Sequence, residues 1–582
     1  MEFRSLKGRR ARRIDLPLGK GMYTKGPFLN GEMSLTQNLS SRSYPQLCTR
    51  LPRGLVQRGK EIYAMTEQEG LCYLEEDGLC YKGKTYAIDP MYRECKLLPF
   101  GRDILILPQG KAGLPAGIFR TETGTQEYLE QYEHFTGPME LHWCTEDGEI
   151  FTDLTEGSQP PENKERIWLD CREEAPCLRF WSVYEGLWSK IENAYVMLRM
   201  DGLGERFSKD ATFTFDQALD PWLYKAKEEY LILNIGSDFM IFDGLLTVPR
   251  AEEDRFQLRI FTTVPLMDLH IQQGNRLWGC RYGKNRNGEF VNCIYASKLG
   301  EPGLWSSFRG LSTDSYCVSL GEPGAFTGVG VVGDCPVFFK ENCLIRITGN
   351  RPANFRTQVL SCSGVRPGCE GTVANLDGRL LYLGRDGLCM YDGTEPVLWG
   401  TNLDLREISR AVAGVYGSCY YLSCPSTLGG NSILVYDTEH RVWHGESSSP
   451  VKEFCTVGGD LYFSTYDKEL YSVYPHEDYL REGPFWWRAE NPFLGLLQQN
   501  KGTLHKLYLE FARDTEAYIR VEQGDTPEFT HLLGDFDLSV PKNVGMILRD
   551  LEFREGHLLI LAGYGELCLQ TLGVGVIPEG RQ

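Results

Sequence analysis

The chain has no run of the roughly 18 apolar residues that a membrane helix needs. Its charged start, MEFRSLKGRRARR, lacks the apolar stretch of a secretory leader. The expectation is a protein without a membrane segment, made and kept in the cytoplasm. No Walker-type phosphate loop and no GxSxG nucleophile elbow occurs, which argues against a P-loop NTPase and an α/β-hydrolase. The nine histidines are scattered, with neither an HExxH pair nor paired cysteines beside them, so the sequence predicts no metal site and no cofactor. Positive charge is also short: 61 Lys and Arg against 79 Asp and Glu leave a net charge of -18. General nucleic-acid binding needs a face of concentrated Lys and Arg, and such a balance argues against it. One local exception is LKGRRARRIDLPLGKG at 6–21, where Arg9, Arg10, Arg12 and Arg13 form either an arm that touches a neighbouring subunit or nucleic acid, or a solvated terminus.

Cysteine is not scarce, but 19 of them is an odd number and the spacing shows no disulfide framework. Free thiols in a reducing compartment are expected, with Cys72, Cys280, Cys293, Cys389, Cys419 and Cys424 used as small core hydrophobes.

What is abundant points to sheets. The 582 residues exceed one hydrophobic core, and 42% apolar with only 24% charged residues describes a packed chain. Thirty Tyr and 28 Phe beside 63 Gly favour strands joined by tight turns, an all-β composition. GRLLYLGRDGLCMYDG at 378–393, EGLCYLEEDGLCYKG at 69–83 and GGDLYFSTYDKELYSV at 458–473 each set two apolar-aromatic runs around a turn, the pattern of a hairpin. Ile347, Tyr391, Tyr436 and Tyr471 mark successive copies at steps of 44, 45 and 35 residues. That period suits the blade of a β-propeller.

The repeat is interrupted between 118 and 262 by further strand-like runs, a proline-rich turn at 159–162 and a weak helical signal at YEGLWSKIENA, 184–194. The sequence therefore predicts an arm at 1–37, a propeller at 38–117 and 263–483, an inserted small β-barrel-like domain at 118–262, and a C-terminal antiparallel β-sandwich-like domain at 484–582. Trp278, Trp305, Trp443, Trp486 and Trp487 are candidate core or interface aromatics; in PFWWRAENPF the adjacent pair must face opposite ways on a strand. Asp268, Asp314 and Asp334 are carboxylates on which a glycosidase reading would draw.

Several stretches together resemble structural proteins of tailed bacteriophages and prophages of Gram-positive bacteria. They are NLSSRSYPQLCTRLPRG at 38–54, VPLMDLHIQQGNRLWGCRYG at 264–283, NCIYASKLGEPGLWSSF at 292–308, STDSYCVSLGEPGAFTG at 312–328 and PVFFKENCLIRITG at 336–349. Similar segments occur in tail-hub or nozzle proteins of short-tailed phages, whose fold is a β-propeller carrying an inserted barrel-like domain. The resemblance covers most of 38–475, is strongest from 264 to 393 and fades in the C-terminal 100 residues. It implies a non-enzymatic virion protein of the tail or neck. The implied state is a homo-oligomer, six-membered by analogy with hubs, beside other tail, neck or portal-adaptor proteins. Genomic DNA would pass through and the host surface would lie within reach. The alternatives left open are a receptor-binding propeller for host glycans and a glycan-degrading enzyme.

Overall fold

The structure, a computed structural model, describes residues 12–24, 32–110, 114–172, 175–215, 222–225, 227, 229–247, 250–428, 431–447, 449–492, 501–512, 515–526, 529–537, 544–554 and 558–578. The fold is all-β. Its only α-helix among the described residues is the single turn Leu203–Arg206. Among the described residues no helix is long and apolar enough to cross a membrane.

Seven small sheets are built the same way, each a run of antiparallel strands in chain order, at 62–86, 96–128, 269–319, 326–361, 374–398, 412–446 and 451–472. Their first strands, Ile62–Glu67, Lys96–Phe100, Leu269–Gln273, Phe326–Val332, Ala374–Leu376, Val412–Tyr416 and Val451–Val457, each lie against the first strand of the next sheet. The seventh lies against the first, so the circuit closes. Its seventh sheet takes its fourth strand from far upstream. Gly54–Arg58 pairs with Glu469–Ser472, with Leu55 opposite Tyr471, and Leu480–Arg481 follows outside it.

The sequence repeat has a direct structural meaning. Ile347, Tyr391, Tyr436 and Tyr471 all lie on the third strand of their sheets, the fourth to the seventh of the circuit. In the stretch 378–393, Arg379–Leu383 and Leu388–Tyr391 form a hairpin around Gly384 to Gly387. Gly387 supplies a φ of +142° in that turn, and Asp386 is exposed there as a turn residue. Neighbouring sheets approach closely where a first strand carries no side chain. A Cβ on Gly414 would lie 2.6 Å from Leu461 Cδ1 and 2.8 Å from Phe454 Cβ of the next sheet.

Between the second and third sheets sits a closed barrel of six strands. Its first strand, Gln131–Cys144, pairs with its last, Arg250–Thr262, from Gln131 opposite Thr262 onward, so the chain enters and leaves at neighbouring points. Met139, Leu141, Trp143, Phe213, Tyr230, Phe242 and Ile260 fill it. A four-stranded sheet packs beside it through Leu169 and Leu178. The weak helical signal at 184–194 is corrected: Leu187–Lys190 is a strand of that sheet, opposite Cys177–Ser182, with Trp188 facing Trp181. The tryptophan at 188 packs edge-on to both Trp168 and Trp181. Such tertiary partners outweigh a marginal helical propensity.

Two larger sheets follow the circuit in sequence and share a core of Trp487, Leu507, Leu509, Ile519, Val521, Leu561, Leu569 and Val574. They also take in strands from the start of the chain. Arg12–Leu16 and Leu47–Thr49 pair with Cys568–Pro578, and Leu35–Gln37 pairs with Trp486–Pro492. Residues 12–16 and 35–49, read from sequence as an arm and the opening of the ring, are thus parts of the C-terminal sheets. Strands of two to five residues carry too little alternation to be assigned a partner from sequence.

Replacing Gly414 by Ala forces a methyl group between two sheets and should cost about 1–3 kcal/mol. Urea unfolding of Gly414→Ala beside the parent checks this; an unchanged midpoint would mean the sheets are not held at this spacing.

Candidate functional site

The five candidate tryptophans separate cleanly by environment. Trp278, Trp305, Trp443 and Trp487 are buried in four different apolar clusters. Trp443 is wholly buried, donates Nε1–H to the Gly400 carbonyl at 2.8 Å, and packs on Tyr436 with centroids 4.8 Å apart. Trp486 is 63% exposed while Trp487, its neighbour on the strand, is 1% exposed. Burial of one ring in the two-sheet core fixes the other on the outer face.

That outer face carries an aromatic row. Trp486 stands opposite Tyr564, and Tyr564 stands opposite Tyr518, so three adjacent strands present one ring each on the same line. Trp486 and Tyr564 have centroids 5.3 Å apart, and the Tyr518 hydroxyl donates to Asp535 Oδ2 at 2.9 Å. The next line on the same face places Arg488 and Arg520 either side of Ala562. Flat exposed rings beside charged groups suit an interface or a stacked sugar ring. A second apolar surface lies at the tip of the insert, where Phe180, Val183, Tyr184 and Leu187 are exposed on one hairpin. Neither surface is legible from sequence, because each depends on which face of a sheet is covered.

Of the basic residues near the start, Arg9 and Arg10 lie outside the described residues, as does the side chain of Arg12. Arg13 sits on the strand that pairs with Cys568–Pro578 and binds Asp15 at 2.7 Å and Glu510 at 3.2 Å.

A cleft of about 270 Å³ lies where the N-terminal segment meets the sixth and seventh sheets, lined among others by Arg50, Arg53, Tyr416, Asp437, His440 and Glu446. Arg50 is buried and binds Glu482 in a two-pronged pair at 2.7 and 3.0 Å, donates Nε–H to Asn38 Oδ1 at 3.0 Å, and lies 4.0 Å over the Phe485 ring. Arg53, also buried, donates to Glu446 Oε2 at 2.7 Å, and its backbone N–H donates to Glu482 Oε2 at 3.0 Å. Burial pushes Glu482 toward its neutral form, but the hydrogen bond from Arg50 and the charges of both arginines outweigh it and leave its pKa lowered. Nothing in the sequence announces these partners, which lie 393 to 432 residues apart.

At the mouth of the cleft Asp437 accepts from Ser41 Oγ at 2.5 Å and bonds His440 Nδ1 at 2.8 Å, with His440 stacked on Tyr44 at 4.1 Å. The carboxylate stands between hydroxyl and imidazole. In a serine nucleophile the imidazole stands between, so this arrangement anchors the N-terminal segment to the sixth sheet rather than priming Ser41. The glycosidase candidates each have a separate structural setting. Asp268 pairs with Arg281 and accepts from the Tyr282 N–H. Asp314 accepts from Ser307 Oγ and the Leu311 N–H, both at 2.8 Å, and Asp334 is an exposed turn residue with φ of +60°. Among the described residues no group of three or more His, Cys, Asp or Glu is placed to hold a metal ion. Of the cysteines named as core hydrophobes, five are buried and Cys419 is half-buried.

No family model matches the chain, and no curated protein does. Solved structures give distant likenesses. An exo-β-1,3-galactanase from Phanerochaete chrysosporium, solved with galactose, is 13% identical over 52% of this chain and 94% of that one, with a TM-score of 0.20. BamB from Moraxella catarrhalis is 9% identical over 74% of this chain and 99% of that one, at 0.31. PorZ, a surface component of the type-IX secretion system of Porphyromonas gingivalis, is 10% identical over 92% and 86%, at 0.25. At these scores none of them bears on what the chain does.

Trp443→Ala should destabilise the fold by about 3–5 kcal/mol, whereas Trp486→Ala should change it by less than about 0.5 kcal/mol. Chemical denaturation of the pair separates the buried ring from the exposed one, and equal costs would contradict this placement. A pH effect follows from His444, which is buried with both ring nitrogens unpartnered. Burial brings its pKa down to about 4. The unfolded side chain takes up its proton near pH 6.5 and the folded one only near 4, so stability should fall as pH drops through that window, by about 3 kcal/mol in all. Denaturation across it should show a shallower pH slope in His444→Gln; parallel slopes would mean that the folded imidazole titrates freely.

Proposed function

We propose that this chain is a structural protein of a phage tail or neck, similar to a tail hub or nozzle, which acts by assembling with copies of itself and with neighbouring tail proteins. The observation that carries the proposal is the closed circuit of seven sheets with a closed barrel inserted between its second and third members. Read as a seven-bladed propeller with a barrel insert, it agrees with the architecture that the resemblance implies.

The physical reading is consistent with that role. A closed circuit of small sheets leaves only short strand edges, which limits uncontrolled pairing in a protein present in many copies. The exposed hairpin of Phe180, Val183, Tyr184 and Leu187 offers the apolar anchors from which interfaces are made. An acidic chain, at -18, lets DNA move past without adhering. The function then needs shape and surfaces, not a nucleophile or a cofactor, and the protein works in the virion after synthesis in the bacterial cytoplasm.

A second reading, recognition of host-surface glycans, is favoured by the exposed row Trp486, Tyr564 and Tyr518, since aromatic faces stack on sugar rings. Electron microscopy of the purified protein with its oligomer mass, repeated on particles from the induced parent phage, tests the first reading. Rings of subunits, or the same density at a tail or portal junction, are expected. A strict monomer absent from particles, with polysaccharide binding lost in Trp486→Ala, would transfer the assignment to the second.

A further inference from the structure

Two cysteines from opposite ends of the chain meet in the six-stranded sheet. Cys48 lies on Leu47–Thr49 and Cys568 begins Cys568–Pro578; the two are directly opposite in antiparallel register. Their Sγ atoms are 2.9 Å apart although the residues are separated by 520 positions, and both side chains are buried. The backbone around them makes this a pair whose residues do not bond to one another. The Cys568 N–H donates to Thr515 Oγ1 and its carbonyl accepts from the Ala512 N–H at 2.9 Å. In such non-hydrogen-bonded pairs the Cα atoms approach to about 4.5 Å and the side chains lean together, which falls inside the Cα range of about 4.4–6.8 Å that a disulfide spans. The Gln46 side chain, accepting from Cys568 Sγ at 3.1 Å, holds that sulfur in place.

We propose that Cys48 and Cys568 are a modification site, oxidised to a disulfide that staples the N-terminal segment to the last strand once the protein meets a disulfide oxidant. The reaction balances as a two-step exchange. The Cys568 thiolate attacks a low-molecular-weight disulfide, forming a mixed disulfide and releasing one thiol; the Cys48 thiolate then attacks Cys568 Sγ and releases the second. Two S–H bonds and the oxidant's S–S bond are lost, and one protein S–S bond and two small-molecule thiols are formed. Access comes from position. Leu47–Thr49 and its neighbour Leu39–Ser40 are short strands at one edge of the sheet, where local opening is easiest. The staple lies only six residues before Gly54, where the strand that completes the seventh sheet begins. Oxidation therefore fastens the segment that closes the circuit.

The test uses the full chain, purified reduced and then held with oxidised glutathione. Intact mass should fall by two hydrogens, and a non-reducing digest should yield one peptide linking Cys48 to Cys568. Oxidised protein should be cut by protease in the 12–53 segment about tenfold more slowly than reduced protein, and Cys568→Ala should abolish that protection. Should the alanine variant not fold, the oxidised and reduced parent proteins decide the matter alone. Free, alkylatable thiols at both positions, a lasting glutathione adduct on Cys568, or a disulfide between other cysteines would each overturn the proposal.

Discussion

Everything in this molecule rests on one strand pairing. The circuit of seven sheets is fastened where Gly54–Arg58 adds to Glu469–Ser472 and completes the last sheet with a strand from the beginning of the chain. The same junction is tied by the Met65 N–H, which donates to Glu453 Oε2 at 3.0 Å, and by Lys452 Nζ, which donates to the Ile62 carbonyl at 2.7 Å. Each sheet buries its faces against two neighbours, so a gap at one junction exposes apolar surface on both sides. The Arg58–Glu469 ion pair, on the exposed edge of this pairing, adds little by itself. The stabilisation comes from backbone hydrogen bonds and from Leu470 and its neighbours packed beneath them.

The strands on either side of this closure explain why the two large sheets follow the ring so closely. Once the N-terminal segment is committed to the seventh sheet, the residues before it must run back along the sixth, and they do so through polar contacts. Asn431 Nδ2–H donates to the Thr36 carbonyl at 2.8 Å and the Gly445 N–H to Thr36 Oγ1 at 2.9 Å, with Asp437 holding Ser41. The buried Arg50, Arg53 and Glu446, with the half-buried Glu482, then fix the crossing. Buried ion pairs are poor sources of net stability because each charge gives up its water, but losing one partner leaves the other stranded. Such a cluster accepts one arrangement and penalises the others.

How far the sequence can be read depends on the reach of each interaction. Hairpins were legible because Asp-Gly and Gly-rich turns act over four residues, and the spacing of Ile347, Tyr391, Tyr436 and Tyr471 located the third strand of four sheets. The interruption stood out because the repeat stopped, but its start, read at 118, falls inside the second sheet, whose last strands are Gly117–Arg120 and Thr125–Tyr128. The joining of residues 12–16 and 35–49 to the C-terminal sheets, the arginine–glutamate cluster and the cysteine pair were invisible, since their partners lie hundreds of residues away. The outward ring of the Trp486–Trp487 pair was legible only as an alternation. Which of the two it was depended on a core built from strands on both sides of position 500. The strand at Leu187–Lys190 was missed for the same reason, its tryptophan partners being assembled by the insert as a whole.

The distance between the closing partners also sets a clock. Arg58 is joined to the chain 411 residues before Glu469 exists to receive it, a wait of about 20–80 s at about 5–20 residues per second. Throughout that interval Gly54–Arg58 is an unsatisfied β-edge tethered to a growing row of finished sheets. The barrel has no such delay, since its first and last strands are both made within residues 131–262. The nascent chain thus carries a completed insert on an open ring, and the synthesis of residues 469–472, not that of 54–58, decides whether the ring shuts on its own strand or on that of a neighbouring chain.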